Sequence, residues 1–160
     1  MKNRGFSLIE VIVAVAIIGI LSGIVGLKLR SYIATSKDTR AVATLNSFRL
    51  AAQLYQIDND KPLIEDSSKY DDDTEIKKAL KKLEIYLDNN AKEIIENNEI
   101  TIGASRDTEN GDLKYGGKVK FTFKNPDSNG NSDGYYMWLV PVDPTKKKFD
   151  SKGKEWIKYW

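Results

Sequence analysis

The polarity pattern changes character three times along the chain. From Phe6 to Leu27 every residue is Phe, Val, Ile, Leu, Ala, Gly or Ser except Glu10. At roughly 1.5 Å per helical residue, such a run is long enough for a ~30 Å hydrocarbon core. After Arg30 the helical pattern becomes amphipathic. Val42, Leu45, Phe48, Ala52 and Tyr55 recur at helical spacing, with Leu50, Leu54 and Ile57 beside them, while Lys37, Asp38, Arg40, Asn46, Arg49 and Gln53 fall between. One helix from about Phe6 to Ile57 is predicted, with its apolar stripe facing a sheet. Asp58-Asn59-Asp60 ahead of Pro62 is its stop.

A second helix is expected after Asp71-Asp72-Asp73, whose carboxylates can cap it and suit its positive end. Ile76, Leu80, Leu83 and Leu87 form its buried stripe, and Lys77, Lys78, Lys81 and Lys82 face water. A short helical turn fits residues 91–96. Beyond that the period falls to two. Ile100 and Ile102 alternate with polar residues, as do the apolar positions of the strand Lys118–Lys124. Tyr135–Val140 reads as a strand ended by Pro141 and Pro144, and Glu155–Trp160 as either a last strand or an aromatic tail. These elements predict an α+β chain: a long N-terminal helix, half apolar and half amphipathic, packed against a small antiparallel sheet.

Composition narrows the chemistry. The chain has 160 residues, enough for one modest domain, and 25 basic against 23 acidic side chains give a net charge of +2. Charge so mixed argues against a broad nucleic-acid footprint. No cysteine is present, which excludes disulfides and thiolate chemistry. No histidine is present either, which removes the commonest general base and metal ligand. No convergent catalytic set remains, so a structural protein is expected rather than an enzyme.

Three readings compete for the N-terminal segment. A secretory signal is shorter and ends in small residues, whereas Lys28-Leu29-Arg30 follows here. A plain membrane anchor fits the length but leaves Glu10 unexplained, since a carboxylate at the centre of such a span costs about 2.5–3.5 kcal/mol. Lys2 and Arg4 favour a cytoplasmic start, but Lys28 and Arg30 at the other end weaken that argument. The third reading accounts for both features. Lys2-Asn3-Arg4-Gly5-Phe6-Ser7-Leu8-Ile9-Glu10-Val11 closely resembles the type IV prepilin signature of pilins and pseudopilins.

In that family a membrane-embedded prepilin peptidase cuts after the glycine and methylates the new amine. The resemblance implies removal of a leader, residues 1–5 with Lys2 and Arg4, by cleavage between Gly5 and Phe6, and N-methylation of Phe6. It also implies a transmembrane and filament-core helix over 6–29, its amphipathic continuation over 30–58, and a globular α+β head over 59–160. Glu10 would meet the Phe6 amine of the next subunit. One helical turn separates Glu10 from its own Phe6, so pairing within a chain is also open. Gly19 and Gly23, with Gly26 beyond, either pack helices closely during assembly or are merely tolerated. Many relatives carry a proline near Leu27, which this chain lacks. Tyr55–Pro62 is similar to the helix end of secretion pseudopilins.

The function implied is a structural subunit of a type IV pilus, with a pseudopilin of a type II secretion or DNA-uptake machine as the alternative. Its partners would be copies of itself and other pilin subunits, the peptidase and N-methyltransferase, an inner-membrane assembly platform with its ATPase, and lipid before assembly. It would pass from the cytoplasmic membrane into an extracellular or periplasmic filament.

Two head segments offer other chemistry. Asp127, Asn129, Asn131 and Asp133 alternate along a loop between strands and could converge oxygens on Ca2+. Ordinary turn chemistry explains the same residues and is favoured, so no cofactor is required. Lys146–Lys148, Lys152, Lys154 and Lys158 lie beside Trp156, Tyr159 and Trp160, a mixture that can hold single-stranded nucleic acid. A solvated edge with its aromatics turned inward is the expectation, and DNA is not an expected partner.

Overall fold

The computed structural model describes residues 7–107, 110–125, 132–145 and 147–159. The chain divides into two compact units, residues 1–33 and 34–160. Helix α1, Leu8–Asn59, runs unbroken through 52 residues, as expected from a stretch free of proline. It ends where Asp60 turns left-handed (φ 51°), a conformation that Asp tolerates better than most residues. The Asn59 side chain closes the last turn by donating to the Tyr55 carbonyl at 3.0 Å.

Within the second unit, Ala41, Leu45, Phe48 and Ala52 form the buried stripe of α1, with Val42 and Tyr55 half-buried at its margins. Phe48 stacks on Phe121 of the sheet with ring centroids 4.8 Å apart. The sheet is antiparallel in the order β1 (Ile100–Thr101), β4 (Lys118–Thr122), β5 (Trp138–Pro141). Register pairs Ile100 with Val119 and Phe121 with Leu139. The period-two pattern of β4 sends Val119, Phe121 and then Phe123 into the core, all fully buried. Burying a side chain of that size contributes roughly 1.5–3 kcal/mol.

Helix α2, Asp73–Lys82, begins at Asp72, whose carboxylate accepts the N–H groups of Thr74 and Glu75 at 2.8 and 3.0 Å. Ile76 and Leu80 are buried as predicted, but the helix stops before Leu83 and Leu87. Leu83 is buried in the cap, and a 3-10 turn over Glu84–Tyr86 intervenes before half-buried Leu87. Helix α3, Lys92–Asn97, matches the predicted short turn and ends on left-handed Asn98. The Asn98 amide then acts as a strand residue. Its oxygen accepts Phe121 N–H at 3.0 Å and its nitrogen donates to Phe121 C=O at 3.3 Å, which extends the ladder beyond β1.

Four details depart from expectation. Asp38 and Arg49, which fall between the apolar positions of the stripe, are buried. Strands β2 (Ala104–Arg106) and β3 (Leu113–Tyr115) form a separate antiparallel hairpin that the pattern did not announce. Strand β5 starts at Trp138 rather than Tyr135, because the Asp133 carboxylate takes the N–H groups of Tyr135 and Tyr136 and Arg49 takes the Met137 carbonyl. Pro141 belongs to the strand instead of terminating it. The neighbouring Val142 N–H bonds Lys118 C=O at 3.0 Å, so Pro141 occupies an alternate position of an edge strand where no donor is needed. The C-terminus follows the aromatic-tail reading: Trp156–Lys158 is a 3-10 turn with Trp156 fully buried.

Candidate functional site: an apolar stem with one carboxylate

Over residues 8–26, α1 has apolar side chains on every face, and all of them are exposed. Ile12, Ile18 and Ile24, a third of a turn apart around the helix, are all more than half exposed. A helix apolar all round is at home in lipid or among other apolar helices, not in water. The helix is long and apolar enough to cross a membrane. Polar groups inside it are satisfied locally: the Ser22 hydroxyl donates to Ile18 C=O at 2.7 Å.

Gly19, Gly23 and Gly26 make no demand on their own chain. A Cβ at any of them would meet nothing within 4 Å, and none has a positive φ. No contact within one subunit therefore explains these three glycines.

Glu10 lies on the same face as Val13, Ala14 and Ile17. Its carboxylate accepts the Ser7 N–H at 2.8 Å, while Glu10 and Val11 donate their N–H groups to Ser7 C=O at 3.1 and 3.4 Å. Ser7-x-x-Glu10 thus makes the carboxylate half of a capping box at the start of α1, with the negative charge at the positive helix end. The spacing was visible in the sequence but was masked by the stronger i, i+4 relation to Phe6. Phe6, Gly5, Lys2 and Arg4 lie outside the described residues.

In the head, Asp127, Asn129 and Asn131 also lie outside the described residues, and Asp133 is committed to the Tyr135 and Tyr136 amides. No group of three or more His, Cys, Asp or Glu poised for a metal occurs among the described residues. The basic-aromatic segment is used internally. The Trp156 indole donates to Phe149 C=O at 3.1 Å, and the Tyr159 hydroxyl bonds Asp150. Burial first, and that bond second, push the Tyr159 phenol well above its ordinary range. Lys148 and Lys158 share Glu155 at 3.1 and 3.5 Å, and Lys154 lies 4.0 Å over the Tyr159 ring. Lys146 and Trp160 are outside the described residues. Trp156 and Tyr159 therefore offer no open stacking platform for bases.

Residues 1–26 match the family described as the prokaryotic N-terminal methylation motif, the prepilin signature of type IV pilins and pseudopilins. No curated protein and no solved structure matches the chain.

Proposed function

We propose that this chain is a structural subunit of a type IV pilus, clipped between Gly5 and Phe6, methylated on the new amine and polymerised through the stem of α1. The match of residues 1–26 to the methylation motif carries this reading. The stem supports it physically: an apolar surface on all sides has to be covered by lipid before assembly and by other stems afterwards. The Ser7 N–H gives Glu10 a resting partner within its own chain. In a filament the charged Phe6 amine of the next subunit is the stronger partner, because an ion pair in an apolar medium outweighs a neutral N–H. The exchange of one for the other turns Glu10 into a register device.

Intact mass spectrometry of the mature protein tests this directly. The expected product starts at Phe6 and carries one added methyl group; a mature chain still starting at Met1 overturns the reading. Glu10→Ala should leave the protein membrane-bound and remove it from sheared surface filaments. Filaments seen by electron microscopy and carrying this subunit mark a pilus. A processed subunit that never leaves the envelope marks the pseudopilus of a secretion or DNA-uptake machine.

A further inference from the structure

The sheet has two edges, and the chain treats them differently. On the β5 edge Pro141 offers no N–H, Arg49 takes the Met137 carbonyl, and the C-terminal 3-10 turn packs alongside. Such devices keep an edge from accepting a foreign strand. Among the described residues, no proline, side chain or turn does this for β1. Ile102 N–H bonds Gly117 C=O at 3.0 Å, and Lys118 C=O is taken from the other side by Val142 N–H. Ile100 and Ile102 therefore face β4, while Glu99 and Thr101, at the alternate positions, point their N–H and C=O groups away from it. No hydrogen bond to those backbone groups occurs among the described residues.

The open edge gives onto a groove of about 730 Å³ between α1 and residues 86–101, with Glu99 and Thr101 in its lining. The α1 wall carries small or apolar side chains, Ala43, Thr44, Ser47 and Leu50, and Leu50 is more than half exposed. On the opposite wall Asp88 and Glu93 are exposed, and Glu93 enters no ion pair among the described residues. Lys37 and Arg40 make the end nearest Ala34 basic, so cations belong at the Glu99 and Glu93 end.

We propose that this groove binds an extended segment of a different protein, about five residues long, which joins β1 as a further strand and alternates apolar with basic side chains. Its length is that of the stretch from Asn98 to Ile102 that pairs with β4 and the turn before it. The pleat sets the alternation. Side chains beside buried Ile100 turn inward, onto the small residues of α1, where apolar groups fit. Side chains beside Glu99 and Thr101 turn outward, where Glu99, with Glu93 and Asp88 across the groove, favours Lys or Arg. Backbone pairing holds such a segment, and the side-chain pattern selects it. A second copy is a poor occupant, because its described strands are already paired and β1 against β1 would set acid on acid. The site belongs to one head, so it stands whether or not the stems polymerise.

Fluorescence anisotropy of a labelled Val-Lys-Val-Lys-Val-Lys-Val probe, with the full chain in neutral-detergent micelles, tests this. Saturable binding is expected. N-methylating one set of alternate residues in the probe should weaken binding about tenfold, as the loss of one or two backbone hydrogen bonds does. N-methylating the other set, whose N–H groups point to solvent, should not. Thr101→Pro removes an outward N–H without touching a β1–β4 bond and should weaken the probe by a similar factor, while Thr101→Val should bind it as the parent does. Glu93→Lys should also weaken the probe, and indifference to that change overturns the basic half of the pattern. Equal affinity for the plain probe and both N-methylated ones, or no saturation at all, overturns strand addition. Those comparisons use the unaltered chain, so a variant that misfolds cannot obscure them. Probe binding that falls as the protein is concentrated puts a second copy in the groove and overturns the foreign partner.

Discussion

At the scale of single residues, two polar positions of α1 hold the head together. Asp38 and Arg49 fall among polar neighbours in α1, and a periodicity argument assigns them to water. Their partners are 65 to 113 positions away in the chain, at Gly103, Met137, Tyr159 and Ser151, so no local window could reveal them. Arg49 also lies 4.2 Å over the Tyr136 ring, which shields a guanidinium whose pKa burial lowers. Each carboxylate oxygen of Asp38 serves one buried N–H. Asp38→Ala strands both donors, and unmet buried donors cost about 1–3 kcal/mol each, so a loss of about 3 kcal/mol is expected. Asp38→Asn keeps one acceptor and should lose roughly half of that. Urea unfolding followed by tryptophan fluorescence measures both, and an Asp38→Ala midpoint equal to the parent's would refute the staple.

At the scale of elements, legibility tracked length and periodicity. Helix α1 and strand β4 carry strong patterns of their own and were readable. Strands β2 and β3 have three residues each, are joined to their neighbours through Gly103 and the Gly116-Gly117 turn, and show no alternation. Distant bonds fix them, among them Arg106 Nε to Ser151 C=O at 3.1 Å. The start of α2 is tied to the sheet by Asp73, whose carboxylate accepts from Lys120 at 3.0 Å and from Asn98 at 3.3 Å. Burial acts to raise the Asp73 pKa, but the Lys120 bond and charge with the Asn98 bond outweigh it, and the net shift is downward. A depressed carboxylate contributes stability above its unfolded pKa of ~3.9 and loses it as pH falls through the lower folded value. Asp73→Asn should therefore cost a fraction of a kcal/mol (about 0.5) at neutral pH, as exposed pairs do. It should also flatten the acid limb of the stability profile below about pH 4. Parallel acid limbs for parent and variant would assign that limb to other carboxylates.

At the scale of the whole molecule, the two regimes were legible at once, because hydropathy alone separates the stem from the rest. The groove was not, since its walls come from α1 and from residues 86–101 and meet only in the fold. Among the described residues, the buried core lies between Ala34 and Trp156. Gly103 abuts the backbone of Ala34, with room for no Cβ, so the start of the head depends on that last close approach. A fragment over residues 31–160 keeps Ala34 inside a helical turn while shedding most of the surface that needs lipid. It should be soluble and unfold in one cooperative transition, as single domains of this size do. It should also be monomeric at micromolar concentration, because contacts between exposed charges are too weak to hold heads without stems raising their effective concentration. Circular dichroism melting and light scattering behind size exclusion check these outcomes. A fragment that melts without cooperativity would show that the stem is needed for folding. A stable oligomer would move the seat of polymerisation from the stem to the head.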